Sequence, residues 1–281
     1  MAQLHGRLEA LEIERQRRDE AVRQHQERDR STAEGEAAKE AVRLAIEHEA
    51  FRRNEVVMDG KRIYSRDEAP LIDLRIDGHD NTVILNQPTG RGTLHVIVNA
   101  GTVGCRLEFG AGNRIAANVF VSFFDSGGNY ARKSKVSIGD NNVFNGNVHV
   151  LAGICPSTLV RIGSENLFAD NIQIVGAVEH LTYNVATMAR ESVEHGVSIG
   201  DRVWICKDAL IFNKSEIASD NIVAARALTN RKFDESHTMI AGSPAKITKH
   251  GVMWHINTAD DYLSGVGPLG TPRNIPMLEQ P

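Results

Sequence analysis

Among the side chains of this 281-residue chain that could do chemistry, a histidine and a tryptophan are the first to weigh. His180, in the segment Gly176-Ala-Val-Glu-His-Leu181, precedes Trp204, in Val203-Trp-Ile205, by 24 positions. Imidazole is the side chain whose ordinary pKa lets it take up and return a proton near neutral pH. An indole offers a broad, rigid apolar wall. One histidine among eleven is more often surface or satisfied core, so by itself His180 carries no role. The other reactive groups say less. Cys105, Cys155 and Cys206 have no CxxC spacing, which implies neither a disulfide framework nor a zinc site. Cys206 reads as a small packed residue rather than a thiol nucleophile. His149, set between Val148 and Val150, reads as structural. His250 and His255 are five apart, a zinc-compatible interval, but they fall after the repetitive part of the chain.

The elements that must position these groups are written as sixes. Ile199, Ile205, Ile211, Ile217 and Val223 recur at every sixth position. Neither the 3.6 period of a helix nor the alternation of an ordinary strand produces that spacing. A hexapeptide repeat predicts a parallel β-helix, in which each flat face receives one inward aliphatic per turn and stacking supplies the core. A second layer of repetition aligns Phe109-Gly-Ala-Gly-Asn-Arg-Ile115 with Ile138-Gly-Asp-Asn-Asn-Val-Phe144, Ile162-Gly-Ser-Glu-Asn-Leu-Phe168 and the run from Ile199. Asn and Gly in these units suit corners, because both tolerate the left-handed backbone region. The starts at 109, 138, 162 and 199 are wider apart than three hexads, so loops must leave around 125–133, 151–158 and 175–195. Loops on a rigid scaffold are where binding chemistry is usually carried.

The flanks differ from the coil. Residues 1–55 are rich in Glu, Arg, Gln and Ala, and a helical arm is expected there. Its heptad seam of Leu4, Leu8 and Leu11 meets Arg15 and Arg18, which argues against an extended coiled coil. A break near Ser31–Gly35 precedes a second helix over 37–53. The expected organisation is thus a helical arm over 1–55, a coil over 56–256, and a short helix near Ala259–Leu263 with a tail over 257–281. A net charge of −4 argues against a general nucleic-acid binder. No apolar run reaches the length of a membrane span and no leader is evident, so a cytoplasmic setting is expected.

Val197-Ser-Ile-Gly-Asp-Arg-Val-Trp-Ile205, the run of hexads and Ile240-Ala-Gly-Ser-Pro-Ala-Lys246 together resemble the hexapeptide-repeat acyltransferases of left-handed parallel β-helix fold. Within them the sequence is most similar to bacterial capsule and polysaccharide O-acetyltransferases, including those that modify polysialic acid, over roughly residues 70 to 255. The resemblance implies acetyl-CoA as donor, no metal, a carbohydrate acceptor, a homotrimer and a site in the groove between neighbouring subunits. His180 is then the expected general base, a role typically worth about 10²–10⁴-fold. Trp204 becomes a wall for the acceptor or the pantetheine arm. Ser243, Lys246 and Lys249 fall in the family's place for CoA phosphates, with Ala225 and Arg226 beside pantetheine and Arg231 and Lys232 as further cations. The sequence departs from the pattern at Ala177-Val-Glu179, where relatives carry Ser-Asp, and at Asn213-Lys-Ser215 and Ala224-Ala-Arg226, where they carry Gly. Alternatives on the same scaffold are an N-acyltransferase for an amino-sugar nucleotide, a zinc-dependent carbonic anhydrase of γ type, and a non-catalytic trimeric scaffold. Residues 1–55 are either a solvated arm or a docking arm, the latter for assembly or for a polysaccharide synthesis complex.

Overall fold

In the computed structural model, the described residues are 20, 32, 35–69, 71–123, 125–126, 129–130, 132–152, 155–177, 182–189 and 196–254. The chain divides into two compact units, Met1–Glu49 and Ala50–Pro281. Within the first, the described segment is helical from residue 35 and continues to residue 53, and Thr32 and Gly35, expected to mark a break, are themselves helical. Along it Arg43 bridges Glu40 at 2.6 Å and Glu47 at 3.2 Å. The last helical turn belongs to the second unit, where Phe51 is buried in the coil's core.

The second unit is a three-faced coil of parallel strands. Among the described residues the first face has nine strands, the second eight and the third seven, with an antiparallel strand at one end of the first and of the second. One turn of the coil shows the logic. Lys135–Ile138 lies on the first face, Val143–Phe144 on the second and Val148–Leu151 on the third. The chain then returns to the first face at Leu159–Ile162. The hexad residues point inward as their period requires: Ile199, Ile205, Ile211, Ile217 and Val223 are all buried. The longer repeat is in register too, with Phe109 paired to Ile138, Ile138 to Ile162, and Ile162 to Ile199. Each such aliphatic contributes about 1.5–3 kcal/mol of burial, but only because the next turn covers it. The three expected loops all leave from one corner, between the third and first faces. They follow the strands Asn118–Phe123, Val148–Leu151 and Val175's strand Ile172–Val175.

Between the first and second faces, buried asparagines form an internal ladder. Asn142 N–H donates to Asn113 Oδ1 (2.8 Å), Asn166 N–H to Asn142 Oδ1 (2.9 Å), and Val203 N–H to Asn166 Oδ1 (2.6 Å). Each carboxamide thus satisfies a backbone donor that the tight corner would otherwise orphan. Close approach at this corner also accounts for the glycines: a Cβ on Gly200 would stand 2.6 Å from Ser219 N. Corner residues with positive φ are not confined to Asn and Gly, however. Glu165, Arg202, Lys214 and Arg226 adopt φ between 54° and 72°. Backbone bonds to the neighbouring turn hold them there, for example Arg226 N–H to Lys207 O at 3.0 Å. That ladder overrides a local cost of about 1–2 kcal/mol per residue.

An antiparallel hairpin, Thr238–Gly242 with Ala245–His250, closes the C-terminal end of the second face. Its exposed outer strand carries Lys246 and Lys249.

Candidate active site

Trp204 stands on the strand Trp204–Ile205 of the second face. Val203 and Ile205 on either side are fully buried, so strand alternation turns the indole outward. Strand pairing then sets its neighbours. Leu167 pairs with Trp204 on one side, and Ile222 pairs with it on the other. Ile222 pairs with Met239, and Met239 with Lys249 on the closing hairpin. The result is a row across the outer side of the second face, Leu167–Trp204–Ile222–Met239–Lys249, in which Ile222 is covered while Trp204 and Met239 are partly exposed and Lys249 is exposed. Three strand spacings separate the indole from the lysine, about 14 Å. A flat aromatic group, the partly exposed Met239 and then an ammonium is a sequence of surfaces matched to a long apolar arm ending in an anion.

The remaining expected residues distribute around this row. Ala225 and Arg226 occupy the corner where the second face gives way to the third, after the strand Ile222–Val223. Arg226 is largely exposed, with Asp208 3.7 Å away. Ser243 lies at the tip of the hairpin, in a cis Ser243–Pro244 bond, and Lys246 pairs across it with Ala241. Arg231 is exposed, and Lys232 sits on the first face on the strand Lys232–Phe233, with Asp234 at 3.8 Å. Trp204, Lys249 and the hairpin residues therefore share one face, whereas Lys232 does not. His180 and His255 lie outside the described residues, as does the helix expected near 259–263.

Cys206, two positions after the indole, is half-buried, and burial pushes its thiol up to about 11. A thiol with that pKa is overwhelmingly protonated at neutral pH and a poor nucleophile, in keeping with a packing role. His149 is exposed between buried Val148 and Val150, and it stacks on Phe120 with ring centroids 4.5 Å apart. His250 pairs with Glu235 at 3.2 Å, on the closing hairpin. Among the described residues, no three His, Cys, Asp or Glu side chains converge as a metal site would require. A shallow groove on the first face, between Glu108, Ser137 and Arg161, is separate from the Trp204 row. Its carboxylate is engaged: hydrogen bonds from Lys135 and Arg106 hold Glu108 below the usual carboxylate range.

One residue beside Trp204 carried no signal in the repeats. Trp254, just beyond the hairpin, brings its ring to 6.3 Å from that of Trp204, tilted by 44°. Its Nε1–H donates to Arg202 O at 2.7 Å. The chain's two tryptophans are thus neighbours. The only hint in the sequence was their number.

The coil is similar to that of the solved polySia specific acetyltransferase NeuO, with a TM-score of 0.53 and 17% identity over 74% of this chain and 87% of that one. The polysialic acid O-acetyltransferase OatWY gives a TM-score of 0.47 at 17% identity, covering 73% and 89%. A hexapeptide transferase family protein from Anaplasma phagocytophilum gives 0.21 at 13%, covering 76% and 90%. No family model matches the chain, and no curated protein matches it in sequence. At such identity the likeness defines the fold: the chain is a parallel β-helix, as its hexads predict, and left-handed, as the resemblance implies. No helix among the described residues is long and apolar enough to cross a membrane.

Proposed function

We propose that the chain is an acetyl-CoA-dependent O-acetyltransferase acting on a carbohydrate, of the kind that modifies bacterial polysaccharide. The observation that carries this reading is the outward row from Trp204 through Ile222 and Met239 to Lys249. Along it the pantetheine arm of the donor lies on apolar side chains, with its thioester beside the indole and its phosphates toward Lys249, Lys246 and Ser243. Ala225 and Arg226 flank the arm at the adjoining corner. The similarity of the coil to that of a polysialic acid acetyltransferase agrees with this assignment.

In the reaction, an acceptor hydroxyl attacks the thioester carbonyl. His180, neutral near pH 7, takes the hydroxyl proton as the new C–O bond forms. The tetrahedral intermediate then breaks its C–S bond, and the imidazolium returns the proton to the departing thiolate. The products are the acetyl ester and free CoA. The loop that carries His180 follows the third face, whereas Trp204 is on the second, so we assign the complete site to a seam between copies in a homotrimer.

The test is thiol release from acetyl-CoA by the purified chain with a panel of oligosaccharides. Native protein is expected to release thiol only with an acceptor present, and His180→Ala to lose about 10²–10⁴-fold while its thermal unfolding is unchanged. Equal rates for the two proteins would remove the base assignment. Absence of turnover with every acceptor would remove the enzymatic reading.

A further inference from the structure

Trp254 is placed by two tethers. Val252 N–H donates to His237 O (3.0 Å), and Trp254 Nε1–H donates to Arg202 O (2.7 Å). Between them the chain runs from the hairpin back along the corner of the first and second faces. Gly251, at φ +67°, makes the turn that lets it leave the last strand. The tethers fix the plane of an indole that is only half-buried, on the outside of the coil, and tilt it against a second half-buried indole. An aromatic ring recruited only for the core would be inside, where Phe109, Phe144 and Phe168 are.

The two ends of the Trp204 strand differ in what they offer. The row toward Lys249 and the corner of Ala225 and Arg226 hold the donor in the reading above. Trp254 approaches from the opposite flank, at Arg202. There the rim is polar: Arg202 is held by Asp220 through two hydrogen bonds, of 2.7 Å and 2.9 Å. Tilted indoles beside a fixed guanidinium–carboxylate pair suit a pyranose, whose C–H face lies on an aromatic ring while its hydroxyls meet polar groups.

We propose that Trp254 is a second wall of the site and that it binds the sugar ring of the acceptor, on the side of Trp204 away from the donor. The proposal rests on the acetyltransferase reading for its orientation, but sugar binding at Trp254 can be measured without turnover. Kinetically, with acetyl-CoA and oligosialic acid, Trp254→Ala is expected to raise the acceptor KM about ten-fold while the donor KM stays within two-fold. Trp254→Phe should restore most of the loss. A shift in the donor KM instead, or no shift in either, overturns the assignment. The second measurement uses the scarcity of indoles. In Trp204→Phe, Trp254 is the sole tryptophan, and its fluorescence is read during titration with oligosialic acid, maltohexaose or chitohexaose, without acetyl-CoA. A saturable change with one of these sugars supports the proposal even if no thiol is ever released. A flat response to all three overturns it even if transfer occurs.

Discussion

Two outward rows of the same coil make the instructive contrast. On the third face, Asp73, His95, Phe120 and His149 are stacked in register. The rings lie 4.4 Å and 4.5 Å apart and nearly parallel. His95 is held at one ring nitrogen by Asp73 (3.0 Å) and at the other by Asn118 (3.3 Å). On the second face, Trp204, Ile222 and Met239 form an equally regular row ending at Lys249, and Trp204 is met from its flank by the tilted ring of Trp254 instead of by a ring stacked from the neighbouring turn. In the first row both faces of the Phe120 ring are taken up by the two imidazoles, and both ring nitrogens of His95 are engaged. The second leaves the partly exposed Trp204 and Met239 and the exposed Lys249 directed outward, with Ile222 covered between them. Chemistry-bearing residue types occur in both, and three titratable side chains lie in the first. What separates scaffold from site is whether the side chains satisfy one another.

The largest effect that would break this contrast is on turnover. Trp204→Ala is expected to lower kcat/KM for acetyl-CoA about 10–100-fold, the loss of a large apolar contact worth about 1.5–3 kcal/mol. His149→Ala should leave that ratio unchanged. If the histidine variant were the crippled one, the two rows would have been assigned the wrong way round.

Next comes stability, where the order reverses. Phe120→Ala removes two stacked contacts, each worth about 0.5–1.5 kcal/mol, besides its buried area. Its urea midpoint should fall clearly, with thiol release at low urea untouched. A smaller, ionic-strength-dependent effect is expected from Lys249→Ala and Lys246→Ala. Each should raise the donor KM a few-fold at low salt and less at about 1 M salt, where exposed charges are screened. A salt-insensitive change would mean that the lysines act through packing of the hairpin.

The smallest effect is on acid stability. Burial of Asp73 works to raise its pKa, but hydrogen bonds from His95 and Arg75 outweigh it, leaving the carboxyl below its usual range. A group depressed in the folded state contributes stability above its unfolded pKa, about 3.9, and that contribution is lost as pH falls through the lower folded value. Asp73→Asn should therefore flatten the fall in urea midpoint below about pH 4. An undiminished acid slope in the variant would mean that the clamp on His95 contributes nothing.

The coil was legible because its signal is repeated: an inward aliphatic at every sixth position survives any single substitution, and the copies at 109, 138, 162 and 199 stack in register as aligned. Corner chemistry was less legible. Arg202 and Arg226 hold left-handed corners that residue preference assigns to Asn or Gly, because bonds to neighbouring turns fix the backbone whatever side chain it carries. Outward facing of Trp204 followed from alternation with Val203 and Ile205. Its pairing with Trp254 did not, since that contact spans fifty positions without any period. The third-face stack was legible only as one structural histidine, His149. Its partners His95 and Phe120 come from turns separated by loops of unequal length.

The most direct measurement is a crystal structure of the full chain with CoA bound. The account predicts the thiol beside Trp204, the pantetheine arm over Ile222 and Met239, and the phosphates at Lys249 and Lys246. CoA bound along the His95–Phe120–His149 row, or away from the second face altogether, would contradict it.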